Sequence, residues 1–178
     1  MRPSKRLMPT LAWMIVVLPL TLCGQARNSR PKASQSCLGA AKRFYGWYVP
    51  VANRASDGPA FERALATKRE VFDPKLYDAL KGDADAQNRA AGEITGIDFD
   101  PFLQTQDPAQ QYVVRNARVE RDRCSVEIWR EPKPEEHPSR AKPDAVADFV
   151  RAGTKWKMAN VWSGDGKTDL LTVLAAER

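Results

Sequence analysis

Histidine is almost missing from this chain: there is one, His137, in 178 residues. A Ser-His-Asp triad or a histidine metal cluster needs a histidine in a fixed place. His137 instead sits among Pro and Glu, beside Pro138, where a solvated loop residue is expected. No GxSxG, HExxH or CxxC pattern occurs. Long apolar runs are also missing, save Leu11 to Leu22, which Pro19 interrupts. That run is short of the about 20 apolar residues that span a bilayer.

Basic excess is missing from the body of the chain. The 28 basic and 22 acidic residues give a net charge of +6. Arg2, Lys5 and Arg6 carry three of those charges at the N-terminus. Arg27, Arg30 and Lys32 carry three more in a Ser/Asn/Pro-containing stretch. From Ala33 onward the balance is zero, so no basic domain face for nucleic acid is expected.

What remains at the start is an address. A positive n-region followed by the apolar run reads as a secretory signal peptide over residues 1–26. Residues 27–35 read as a linker and 36–178 as one domain. Two processing sites compete. Gly24-Gln25-Ala26 suits an ordinary cut before Arg27. Leu20-Thr21-Leu22-Cys23-Gly24 resembles a bacterial lipobox, with Cys23 lipidated, although Leu22 stands where a small residue is usual. The expected location is periplasmic or secreted, with a lipid-anchored form on the outer membrane as the alternative. Membrane contact is expected only through that anchor.

Cysteine is scarce too: three in all. With Cys23 removed or acylated, Cys37 and Cys124 remain. In an oxidising compartment an even pair reads as a disulfide. It closes a loop of about 86 residues, and the chain-entropy model values that at about 4–5 kcal/mol.

The period of the apolar residues changes halfway along. Ser34 to Val49 reads as a helix ended by Pro50, with Leu38, Ala41, Tyr45 and Tyr48 at spacings of three and four. Phe44 and Trp47 lie on its neighbouring face. A short helix follows from Ala60 to Ala66. Phe72-Asp73-Pro74 opens the next, with Asp73 as cap and Pro74 at the first helical position, running to about Arg89.

The second half alternates instead. Gln111 to Val119 puts Tyr112 and Val114 on one face and Val113, Ala117 and Val119 on the other. After Arg121-Asp122-Arg123, Cys124, Val126 and Ile128 alternate with Ser125, Glu127 and Trp129. Glu131 to Pro143 is a charged, proline-rich loop. Ala145 to Arg151 and Lys155 to Trp162 are two further strands. Trp156, Met158 and Trp162 are expected on one side of the last strand, Lys155 and Lys157 on the other. Thr168 caps a final helix. Helices followed by an antiparallel meander read as α+β, with N-terminal helices packed on a curved four-stranded sheet. Gly166-Lys167-Thr168 imitates a phosphate loop, but the glycine required five residues earlier is Val161, so a plain turn is expected.

Between the halves lies Gly96 to Asp107. Asp98, Asp100 and Asp107 are candidate ligands for a hard cation or candidate acid/base groups. The spacing is not that of an EF-hand, and the simpler reading is structural. Asp100-Pro101 starts a turn, Asp98 accepts backbone amides, and Phe99 and Phe102 plug the core.

Three segments resemble a small bacterial envelope family of unknown function that includes YbjP- and YqhG-like lipoproteins. They are Phe44-Tyr45-x-Trp47-Tyr48, the central Asp98-Phe99-Asp100-Pro101-Phe102-Leu103-x-x-Gln106-Asp107, and Trp156-Lys157-Met158 before Asp169-Leu170-Leu171. The resemblance runs from about Ser36 to Ala176. It implies an NTF2/cystatin-like cone fold and brings no catalytic residue and no cofactor. The expected function is a non-enzymatic binding domain for an envelope protein or small ligand. Two alternatives stand beside it: a cone-fold enzyme using Asp98, Asp100 or Asp107, and an inhibitor or immunity-type protein docking through the sheet edge or the Glu131–Pro143 loop.

Overall fold

A computed structural model describes residues 30–54, 58–90, 95–131 and 142–177. Residues 1–26 with Cys23, where a signal peptide is expected, the start of the expected linker, and residues 132–141 with His137 lie outside the described residues. The chain is α+β. Helices α1 (Arg30–Ala52), α2 (Ala60–Thr67) and α3 (Pro74–Arg89) precede strands β1 (Tyr112–Glu120), β2 (Arg123–Arg130), β3 (Ala145–Ala152) and β4 (Lys155–Ser163), and α4 (Leu170–Ala176) closes the chain. The sheet is an antiparallel meander in the order β1-β2-β3-β4. Helices packed on one face of such a sheet is the arrangement expected of an NTF2/cystatin-like fold.

Helix α1 is longer than its apolar pattern. It takes in residues 30–35, which composition assigns to the linker, and continues past Pro50 to Ala52. Proline costs the helix one bond and breaks it only if the chain must run on. Here two more residues suffice. Asn53 then closes the end, its backbone and side-chain nitrogens both donating to the Val49 carbonyl at 3.1 Å. Cys37, Ala41, Phe44, Tyr45, Tyr48 and Val49 are buried at three- and four-residue spacings. Helix α3 starts as expected, with the Asp73 side chain accepting from the Lys75 amide at 3.0 Å and Pro74 in its first turn. Helix α4 differs from expectation: Asp169, not Thr168, is its cap, accepting the Thr172 amide at 3.1 Å.

Two bulges correct the faces read from alternation. In β1 the register slips between Arg115 and Arg118. Asn116 there has φ 56°, a left-handed conformation that Asn tolerates better than most residues. The extra residue returns Ala117 and Val119 to the Val114 side, leaving Val113 alone on the other. In the β3–β4 pair the register slips next to Asp148 and Phe149, where Ala159 is the additional residue in β4. Val161 therefore lies fully buried beside Trp156 and Met158, and Trp162 turns outward.

The core lies between the helices and the inner sheet face. Phe102 stacks on Phe72 with centroids 5.3 Å apart and meets Phe44 and Tyr48 edge-on at 5.1 and 5.0 Å. The Cys37–Cys124 disulfide ties α1 to β2 across this core, with Cα atoms 6.6 Å apart. Gly164 marks a tight backbone crossing, since a Cβ there would fall 1.6 Å from the Pro143 carbonyl oxygen. Replacing both Cys37 and Cys124 by Ala is expected to lower unfolding stability by about 2–5 kcal/mol. A reduced midpoint in urea with an intact far-UV spectrum is the result that checks it.

Candidate functional site

The central acids go to structural work. The Asp100 carboxylate accepts the amides of Phe102 and Leu103 on one oxygen, at 3.0 and 2.9 Å, and the Tyr48 hydroxyl on the other at 2.6 Å. Its own backbone pairs with Thr105 and receives Gln104, so residues 100–105 form one closed turn. Gln104 takes φ 54° to complete it. Pro101, Phe102 and Leu103 point inward and are buried. Tyr45 adds a bond from its hydroxyl to the Phe102 carbonyl at 3.0 Å. Asp98 does not accept backbone amides as expected. It is exposed and accepts the Gln106 side chain at 2.8 Å. Phe99 is half-buried against the core rather than within it. Asp107 is exposed, and its amide and carbonyl bond the Thr105 hydroxyl.

None of the three acids lines any of the four described clefts. Among the described residues no three His, Cys, Asp or Glu side chains gather as a metal site. The turn at Gly166-Lys167-Thr168 has spent its amides: Gly166 bonds the Ser163 carbonyl, Lys167 bonds Asp165, and Thr168 bonds the Ser163 hydroxyl. No donor cradle is left there for a phosphate.

The larger feature is the outer sheet face, which the strand register sets out in rows. Arg115, Glu127, Val146 and Trp162 form one row; Arg118, Ser125, Asp148 and Asn160 form the next. The Trp162 indole donates to Asp148 at 2.8 Å. The Trp129 indole donates to Glu127 at 3.0 Å, and Asn116 holds the same oxygen at 2.7 Å. The Arg115 guanidinium lies 4.1 Å over the Trp129 ring. Both indoles are half-buried and fixed in orientation.

A cleft of about 600 Å³ opens on this face between Trp162, Asp148, Arg118 and Arg123, bounded by Leu171 of α4 and the start of α3. Burial pushes the Asp148 carboxyl above its ordinary pKa, against the Trp162 bond and the Arg123 charge. Trp129 stands where alternation predicts. Trp162 does not, and with it the cleft is missed. The available signal was Asn160, which strict alternation would place in the core beside Trp156 and Met158. A buried amide there argues for a bulge.

Burial likewise raises the Asp100 pKa, outweighing the Tyr48 and amide bonds that lower it. The folded state then holds that proton more tightly than the unfolded chain. Its stabilising contribution is complete below the ordinary aspartate value of 3.8 and is lost as pH rises through the folded pKa. Unfolding curves of wild type and D100N across pH 3–7 should therefore diverge: both share the loss that comes with the raised Asp148 pKa, and the wild type loses more by the Asp100 contribution. Parallel curves would contradict the assignment.

No protein-family model and no curated protein matches this chain. Among solved structures, it is similar to a chain in the crystal structure of the type VI native effector-immunity complex Tae3-Tai3 from Ralstonia pickettii. The two are 18% identical, with a TM-score of 0.51, over 72% of this chain and 95% of that one. At that identity the likeness is one of fold.

Proposed function

We propose that this chain is a non-enzymatic, envelope-located binding domain whose partner is a protein held on the outer sheet face. The carrying observation is the pair of tryptophans on that face, each with its indole N–H fixed by a carboxylate. Half-buried, pre-oriented Trp with a stacked Arg is the composition of binding hot spots, where little entropy is left to lose on docking. A small ligand in the 600 Å³ cleft is the narrower form of the same reading.

The acid/base alternative through Asp98, Asp100 or Asp107 has less to support it, because one carboxylate is held by two amides of its turn and by Tyr48 and the others sit on open surface. The inhibitor or immunity-type alternative gains some. The fold neighbour belongs to an effector–immunity complex, and a protein-binding face suits such a role.

The disulfide belongs to an oxidising compartment. No helix of the described residues is long and apolar enough to cross a membrane. The signal pattern and the resemblance in the central motif support an envelope address.

Two measurements test this reading. Intact mass of the chain from membrane and soluble fractions should show either a start at Arg27 or an acylated Cys23, with the disulfide closed. An uncut N-terminus in both fractions would remove the address. Capture from envelope extracts should retain a protein partner that a W129A/W162A variant, folded by circular dichroism, holds at least about tenfold more weakly. A repeatable absence of any partner sinks the proposal.

A further inference from the structure

Strand β1 is the edge of the sheet, and part of that edge is open. The Glu131 amide donates to the Gln111 carbonyl at 2.9 Å, which makes Gln111–Glu131 a hydrogen-bonded pair. Antiparallel pairs alternate, so Tyr112–Arg130 and Val114–Ile128 are non-hydrogen-bonded pairs. Consistently, Arg130 and Ile128 turn their backbone toward the β3 side, where Asp144 bonds both. The N–H and C=O groups of Tyr112 and Val114 thus point away from the sheet. No described residue bonds them. Val113 between them is the one large hydrophobic side chain exposed among the described residues, at 41%.

Helix α1 runs antiparallel to this edge. Asn53 near its end bonds the Ala109 carbonyl, and Cys37 near its start is joined to Cys124, which pairs with Val119. Between α1 and the edge lies a groove of about 460 Å³. Its helical wall has a gap at Gly46, where an added Cβ would meet nothing within 4 Å. The groove has two poles. Exposed Lys42 lies toward the Val114 end, and exposed Glu131 lies at the Gln111 end; neither side chain bonds a described residue. The bulge at Asn116 ends the flat stretch.

We propose that this groove takes one extended segment of a protein partner, added antiparallel to β1, with an acidic residue at its leading end and a basic residue at its trailing end. Four backbone hydrogen bonds to Tyr112 and Val114 would hold the segment. Side chains opposite those two residues fall on the helix side, over Gly46. Apolar residues of moderate size fit there, beside Val49 and Pro50. The residue between them faces outward with Val113. The acid meets Lys42 and the base meets Glu131. A second copy of the chain does not fit, because its own α1 lies along its β1 and would meet the first helix at the same wall.

The probe is a labelled peptide, Glu-Ser-Val-Thr-Val-Lys-Ser, in which alternation puts the acid on the helix side with the two Val and the base on the Glu131 side, followed by fluorescence anisotropy against the disulfide-bonded domain. Saturable binding is expected. G46L fills the gap, where the added Cβ meets nothing within 4 Å, and, with its far-UV spectrum and unfolding midpoint unchanged, should weaken binding at least tenfold. K42E should weaken it too, and a peptide with Lys in place of its Glu should restore it. W129A/W162A should leave it unchanged, which separates this surface from the outer face. No saturable binding, or equal binding to G46L, overturns the inference. So does self-association of the unliganded domain that G46L abolishes, since the occupant would then be a second copy. If only the peptide fails while the envelope partner is still captured, the outer-face reading stands alone.

Discussion

One carboxylate organises the junction between the two halves of this molecule. Asp100 binds two consecutive amides of its own turn and the hydroxyl of Tyr48 from the first helix. Without it, Phe102 and Leu103 would bring their amides unpaired into the core, each costing about 1–3 kcal/mol. With it, Phe102 joins Phe44 and Tyr48 of the first helix and Phe72 in a cluster that unites three separate stretches of chain. The arrangement sets an acid in a place that disfavours its charged form. Three donors make that tolerable, and they leave the oxygens of Asp100 no substrate to meet.

Much of this was legible in the sequence. Helical spacing marked the buried face of α1, Phe-Asp-Pro marked the start of α3, and the Cys37–Cys124 pair followed from counting. The faces of β1 and β4 were not legible by alternation alone, because one extra residue in a strand reverses every side chain beyond it. Asn116 and Asn160 held the clue, as polar residues that an unbroken alternation would force into the core. The candidate surface suffered more than the fold from this error. Trp162 belongs to the core in one reading and to the outer face in the other, and the outer cleft exists only in the second.

The sheet therefore separates two kinds of aromatic residue. Inner rings pack on one another and set the fold. Outer indoles are tethered edge-on to acids, and Arg115 lies over the ring of Trp129. The same bulge that buries Val161 turns Trp162 outward. Core packing and surface presentation are coupled through Ala159, and neither changes register without the other.

The disulfide gives the chain an unequal topology. Everything from α1 to the start of β2 lies inside a covalent ring, while β3, β4 and α4 hang from it as an open tail. A protease cut in any connection within the ring leaves both pieces joined, and the helical layer keeps its attachment to the sheet. A cut between β2 and β3 has no such insurance: the last two strands and the final helix are then retained by the β2–β3 hydrogen bonds and packing, with no covalent tie. In a compartment where proteases meet the folded protein, the bond that insures one part of the chain leaves the other to its contacts.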